Sequence, residues 1–363
     1  MKFADDQAAA LKEALAGKHL LVLGPAGTGK TALRNRIADL TNALVLGPTG
    51  ASVAGRTGAY TIARFMATNR NHAAVTPGGV LVVDEISMVG AHLFVALSAT
   101  IQRILQCRKP FGGLRVILIG DLFQLRPPAG PLMFFETAAY RDLVADGMRV
   151  QQLRTQHRQC AGGEDGNTLA TFIADARRGN LSAASEALLS GRLSSQEPVG
   201  AVHLYACTRE VDRHNSRALR QHHGRECRVG TVALKEGVPV VITKNRYTRG
   251  RLVLANGDTG VVHSCSTAAA IVRIGSTLHT LRPVNGVLNA ALAWAMTVHK
   301  AQGRTCDAVV VHGEGMFEAG QAYVAVSRAR TLTGLATRSM HPDDFGIAQP
   351  AALSKFAKEH GLQ

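Results

Sequence analysis

Residues 24–31, Gly24-Pro25-Ala26-Gly27-Thr28-Gly29-Lys30-Thr31, follow an apolar run and open a helical pattern. Glycines at these spacings let backbone N–H groups curl around phosphates, and Lys30 has the reach for the β- and γ-phosphates. The Thr31 hydroxyl is suited to Mg²⁺, and the helix N-terminus adds partial positive charge. The pattern therefore predicts ATP and Mg²⁺ as cofactors.

A second chemical signal lies at Leu81-Val82-Val83-Asp84-Glu85. Acids at the end of an apolar strand are costly to bury unless they meet a cation. Asp84 is expected to hold Mg²⁺ through water, and Glu85 to orient and polarise an attacking water. No Asn-Lys-x-Asp tetrapeptide occurs, which sets a GTPase aside. A third strand ends at Gly120-Asp121, and Gln124 follows with the length to sense a γ-phosphate or merely to cap a turn. Phosphoryl transfer also needs positive charge on the γ-phosphate, which an arginine can supply. Arg158 in Gln-His-Arg-Gln and Arg328 in Tyr-Val-Ala-Val-Ser-Arg-Ala-Arg are the candidates. Both are expected outside the P-loop domain, with the nucleotide between two domains whose cleft opens and closes on hydrolysis.

Such residues need a scaffold that brings strand ends together. Apolar runs at 19–23, 43–46, 80–83 and 114–119 read as buried parallel strands. Helical spacing over 30–40 and 91–106 supplies the alternation of a doubly wound domain. A second series starts near Val150, with strand patterns at 202–206, 308–312 and 335–337 and helical ones at 168–178, 209–221 and 323–329. Between about Gly230 and Arg282, short strand-like pieces separated by turns such as Asn256-Gly257-Asp258 predict a small inserted antiparallel barrel. The expected fold class is α/β: two RecA-like doubly wound P-loop domains, with an SH3-like β-barrel inserted in the second. The boundaries are 1–148 for the first domain, 149–229 and 285–363 for the second, and 230–284 for the barrel.

The chain has 363 residues, 46% hydrophobic and 18% charged, enough apolar material for real cores. Its formal charge of +15 favours a polyanionic partner. Residues 235–310 hold nine Lys/Arg against three Asp/Glu, whereas residues 311–363 hold five of each. Six cysteines stand singly with no metal spacing, as expected of reduced thiols. Asp5 and Asp6 interrupt the N-terminus, and no run of apolar residues is long enough for a membrane. The expectation is a cytosolic protein that is neither exported nor membrane-bound.

Taken in order, these motifs resemble a superfamily-one helicase of the PIF (petite integration frequency) and RecD-like branch over almost the whole length. The resemblance rests on Gln7 in Asp-Asp-Gln-Ala-Ala-Ala-Leu, the P-loop, the 84–88 box and Phe111 to Leu125. It continues through Arg158-Gln159, Arg177-Arg178-Gly179 and 256–262. Most specific are Ala-Trp-Ala-Met-Thr-Val-His-Lys-Ala-Gln-Gly-Arg-Thr (293–305) and Gly-Gln-Ala-Tyr-Val-Ala-Val-Ser-Arg-Ala-Arg (320–330). It implies that Gln7 reads adenine and that Gln302 and Gly303 lie near the γ-phosphate with Arg328. It also implies 5′-to-3′ movement on single-stranded DNA, with forked or tailed duplex as partner and one copy as the working unit.

By the same resemblance Thr49, Gly50, Thr61, Arg64, Phe65 and His299 face the strand, although Phe65 reads equally as core. Lys244, Arg246, Arg249 and Arg251 crowd around Tyr247, either as phosphate contacts or as a solvated hairpin. Trp294, the only tryptophan, reads as packing. Three departures stand out. Ala63 replaces a usual histidine, Arg126 stands where many members have proline, and only Met66 to Gly79 separates the 61–65 segment from the acid-pair strand. That spacing leaves little room for a strand-splitting wedge. A poorly unwinding, protein-stripping translocase is therefore one alternative to a full helicase, and a non-motor P-loop regulator is another.

Overall fold

The computed structural model describes residues 3–53, 56, 58–127, 130, 132–158, 163–193, 196–248 and 251–362. Two units emerge, the first made of residues 1–185, 318–327 and 345–363, the second of residues 186–317 and 328–344.

The first unit is built on six strands, β1 (Leu20–Leu23), β2 (Leu44–Gly47), β3 (Tyr60–Thr61), β4 (Val80–Val83), β5 (Arg115–Gly120) and β6 (Arg149–Gln152). They form one parallel sheet in the order β3-β2-β4-β5-β1-β6, with Leu20 registered on Ile117 on one side and on Arg149 on the other. Alternation splits the apolar residues into two cores. Leu21, Leu23, Leu81 and Val83 point into one with Phe94, Phe111 and Phe134. Leu20, Val22, Val82 and Ile119 point into the other with Leu33 and Ile37. A sheet buried on both faces explains why these strands read as unbroken apolar runs. The helix Ala351–Glu359 closes the first core by stacking Phe356 on Phe135, ring centroids 4.4 Å apart.

In the second unit the strands are β7 (Val202–Tyr205), β8 (Cys227–Val229), β9 (Val232–Leu234), β10 (Pro239–Ile242), β11 (Arg246–Thr248), β12 (Arg251–Leu254), β13 (Thr259–Cys265), β14 (Ala270–Ile274), β15 (Thr277–Leu281), β16 (Ala290–Leu292), β17 (Ala295–Thr297), β18 (Val309–His312) and β19 (Leu335–Arg338). A parallel sheet runs β17-β7-β18-β19, and an antiparallel one runs β15-β14-β13-β10-β16. The hairpins β8-β9 and β11-β12 stand beside them as two-stranded pieces.

Two expectations change. The first unit does not end at 148: β6 takes the place beside β1, and the chain stays in that unit through the helix Gly163–Arg178 and on to Ser185. The inserted 230–284 segment is antiparallel as expected, but its described strands form an open ladder with β15 at one edge and β16, from beyond the segment, at the other. Trp294 is partly buried against the core of that sheet, in line with a packing role. Among the described residues, no helix is long and apolar enough to cross a membrane.

Candidate functional site

In a parallel sheet the carboxyl ends of the strands share one edge, where ligands of such folds bind. The P-loop leaves β1 there, Asp84 and Glu85 leave β4, Asp121 leaves β5, and the segment to Arg158 leaves β6. Gly27 (φ 91°) and Gly29 (φ 72°) take left-handed conformations that the loop needs and a side chain would strain. A Cβ at Gly29 would also collide with Gln7. Gln7 is buried, donates from Nε2 to the Thr28 carbonyl (3.1 Å) and accepts from the Ala4 N–H (3.2 Å).

The Lys30 Nζ donates to the Gly24 and Pro25 carbonyls, both at 2.8 Å. Burial holds its ammonium below the usual lysine range, opposed by the negative charge of Asp121, Glu85 and Asp84. A buried ammonium resting on main-chain oxygens, at a helix N-terminus and beside acids, fits phosphate with a divalent cation.

Asp84 is pushed up by burial and restrained by the Arg34 guanidinium, whose Nη1 lies 2.6 Å from its Oδ2. Arg34 sits one turn along the P-loop helix Lys30–Thr41 and also donates to the Ser52 carbonyl. The other Asp84 oxygen accepts the Glu85 N–H at 3.0 Å. Glu85 itself has φ 49° and ψ 49°, a sparsely populated conformation for a non-glycine residue. Backbone strain of this kind concentrates at functional positions.

Asp121 anchors a buried chain of hydrogen bonds. Its Oδ1 accepts from Arg177 Nε (3.1 Å) and its Oδ2 from the Tyr323 hydroxyl (2.6 Å). The same hydroxyl accepts the Ala26 N–H of the P-loop at 2.9 Å. Burial works to raise the Asp121 carboxyl, but Arg177 and Lys30 together hold it below the ordinary range. Arg177 also lies over the Phe123 ring, 4.2 Å from its centroid. Gln124 is buried one residue further on, and Gly320 packs so closely on Phe123 and Gln124 that it has no room for a Cβ.

Arg158 corrects an expectation. It lies inside the P-loop unit, where its N–H reaches the Gly27 carbonyl at 3.3 Å and its Nη1 the Ser327 carbonyl at 3.4 Å. The reason is the pairing of β6 with β1, which carries the following segment onto the P-loop. Arg328 belongs to the second unit, buried, its Nη1 donating to the Arg304 carbonyl at 2.9 Å. In that unit Gln302 is buried and Gly303 takes φ 78°.

The segments expected to face a strand divide. Thr49 is half-buried and its Oγ1 accepts from the Ser52 N–H, while Gly50 is buried. Thr61 spends its hydroxyl capping the helix Ile62–Ala67 through the half-buried Arg64 N–H. Phe65 is fully buried in the first core beside His72, so the structure overturns its strand-lining role: it holds the segment in place. His299 is half-buried on the short helix Val298–Ala301. Lys244 and Arg246 are exposed, Arg246 donating to the Thr280 carbonyl at 2.7 Å. Arg249 lies outside the described residues, as does the side chain of Arg251.

A family model described as an AAA domain matches residues 2–197, and one described as a UvrD-like helicase C-terminal domain matches residues 292–336. The human ATP-dependent DNA helicase PIF1 is 29% identical over 94% of this chain. The chain belongs to the PIF and RecD-like branch of the superfamily-one helicases. It spans 61% of the human relative's length. The fold of this PIF and RecD-like chain matches that of a Pif1 helicase from Candida albicans, with TM-score 0.79, 24% identity and 99% of both chains covered. It also matches a Bacteroides Pif1 bound to ssDNA, with TM-score 0.84, 21% identity, and 99% and 97% of the two chains covered.

Within this PIF and RecD-like chain, four residues of the site carry no role that the sequence alone assigns. Asp121 and Arg177 were visible as motif members without a role, and Tyr323 as the first residue of the segment ending at Arg328. Arg34 gave no signal, because an arginine one turn into a helix reads as surface.

Proposed function

We propose that this chain is an ATP-dependent DNA helicase or translocase that moves 5′ to 3′ on single-stranded DNA. Two RecA-like motor domains couple ATP hydrolysis to strand movement, and one copy is the working unit. The observation that carries the reading is the buried Lys30 ammonium with Asp84, Glu85 and Asp121 about it on the P-loop edge, in a chain that also carries the 293–330 motifs. Lys30 and the P-loop amides hold the phosphates, Glu85 takes up the proton of the attacking water, and Arg158 and Arg328 balance charge as the γ-phosphoryl leaves. Thr31 and Asp84 would hold Mg²⁺, which when bound neutralises charge on the phosphate oxygens. A non-motor regulator has no use for the second motif set. The test is ATP hydrolysis with and without single-stranded DNA. Strong stimulation supports a motor, and equal rates refute one.

A second reading, a translocase that strips proteins but separates strands poorly, draws on the segment after Phe65. The helix Ile62–Ala67 passes into 3₁₀ turns over Asn69–Ala74, and β4 follows six residues later. This short stretch supports a small or absent wedge. Unwinding rates on a tailed duplex, set against translocation rates, separate the two readings.

A further inference from the structure

The helix Thr208–Gln221 of the second unit carries a charge pattern that neither the nucleotide site nor the strand-facing segments use. Arg209, Arg213, Arg217 and Arg220 fall within an arc of about 80° at 3.6 residues per turn, in a stripe about 16 Å long. All four are exposed, while Val211, Asn215 and Leu219 on the opposite side are buried. None of the four forms an ion pair or hydrogen bond among the described residues, whereas Arg34, Arg56, Arg149 and Arg177 are each matched to a carboxylate. Glu210, engaged by the Cys207 thiol and also drawn on by Arg213 and Arg209, and Asp212 are the two acids of this helix against its four arginines. Like charges one turn apart destabilise a helix by a few tenths of a kcal/mol per pair, a cost that clustering the four arginines on one face brings with it. Arg225 and Arg228 extend the exposed basic surface beyond the helix.

The helix is also firmly mounted. Asn215 donates from Nδ2 to the carbonyls of Ala295 (3.0 Å) and Leu292 (3.2 Å), and its Oδ1 accepts the Ala295 N–H (2.9 Å). Ala295 begins β17, which runs directly into the helix bearing His299. Whatever the stripe grips is therefore coupled through two short steps to that helix.

We propose that this arginine stripe binds the phosphate backbone of duplex DNA, as a second DNA contact distinct from the single-strand track. The proposal rests on the helicase reading above. Charge complementarity names a polyanion, and two features favour a duplex over a loose strand. The helix has no Phe, Tyr or Trp, so it offers no surface on which unstacked bases can lie. Its rigid 16 Å row suits the fixed phosphate spacing of a duplex, about 3.4 Å of axis per phosphate on each strand. Arginine, which makes up 31 of the 41 cations in this chain, suits phosphate with its planar fork of donors.

The test compares the wild type with R209A/R213A/R217A/R220A, alanine being the best helix former at exposed positions. Binding to a blunt hairpin duplex and to oligo-dT is followed by fluorescence anisotropy across a salt series, with DNA-stimulated ATP hydrolysis measured alongside. The slope of log affinity against log salt on the duplex is expected to fall by about 3.6, or 0.9 for each of four contacts. Affinity at low salt should drop at least tenfold, while oligo-dT binding and dT-stimulated hydrolysis stay at wild-type levels. The four-lysine variant should keep the duplex slope. An unchanged duplex slope overturns the proposal, as does an equal loss on oligo-dT, which would assign the stripe to the strand track. A wild type whose hydrolysis ignores oligo-dT would refute the helicase reading separately, and the duplex slopes would still decide what the stripe binds.

Discussion

The hydroxyl of Tyr323 donates to Asp121 Oδ2 at 2.6 Å while accepting the P-loop Ala26 N–H at 2.9 Å. One side chain thus joins the segment leading to Arg328, the strand end of β5 and the phosphate loop. Tyr323→Phe keeps the ring and removes both bonds, leaving a buried carboxylate oxygen short of a donor. The expected loss of stability is about 1–3 kcal/mol. Because Ala26 loses its partner, nucleotide affinity should weaken along with turnover. Denaturant unfolding and nucleotide titration of the variant check this, and wild-type values for both would make the tyrosine mere packing.

Lys30→Ala should abolish tight ATP binding, whereas Glu85→Gln should bind ATP and fail to turn it over. Removing charge from phosphates acts on the ground state, while removing the base acts on the transition state alone. A Glu85→Gln enzyme keeping more than about a tenth of wild-type turnover, roughly 1.4 kcal/mol of barrier, would exclude Glu85 as the base. Its left-handed backbone adds a control: Glu85→Gly should relax the turn yet be as inactive as Glu85→Gln.

Arg158→Ala and Arg328→Ala should each lower kcat by roughly 10³-fold, with smaller changes in nucleotide affinity. Acting on one developing charge, they should combine non-additively in the double variant. Steady-state kinetics of the three variants settle it, and strictly multiplicative losses would separate the two roles. Arg158→Ala leaves the main-chain bond to the Gly27 carbonyl in place, so its loss reports on the guanidinium alone.

What the sequence made legible was local. The P-loop, the Asp84-Glu85 strand end and Gly120-Asp121 each announce themselves within a few residues, and the structure gathers them on one sheet edge. What stayed hidden depends on distant pairing. Nothing between 149 and 152 says that β6 joins β1 rather than opening a new domain, and that pairing moved Arg158 into the first unit. Likewise Tyr323 acquires its role only because residues 318–327 return to that unit. Phe65 could be read either way, because a lone aromatic in a short helix shows no period. Burial decided it.

A histidine pair in the second unit sets a pH dependence of stability. His203 Nδ1 and His312 Nε2 lie 3.0 Å apart, so one ring must be neutral to accept. Burial first, then neighbouring positive charge, lowers each to about 4 from an ordinary 6.5. Since the unfolded chain binds these protons more readily, the stability is complete above pH 6.5 and is lost as pH falls toward 4. Denaturant midpoints measured over that window should decline in the wild type and decline less in His203→Gln/His312→Gln. Parallel curves would place the acid sensitivity elsewhere.

Directional movement on a single strand is the central claim, and streptavidin displacement tests it most directly. With ATP, the protein should clear streptavidin from a 3′-biotinylated strand faster than from a 5′-biotinylated one, and Glu85→Gln should clear neither. Faster clearance from the 5′ end would contradict the polarity, and equal, ATP-independent release from both ends would contradict the motor itself.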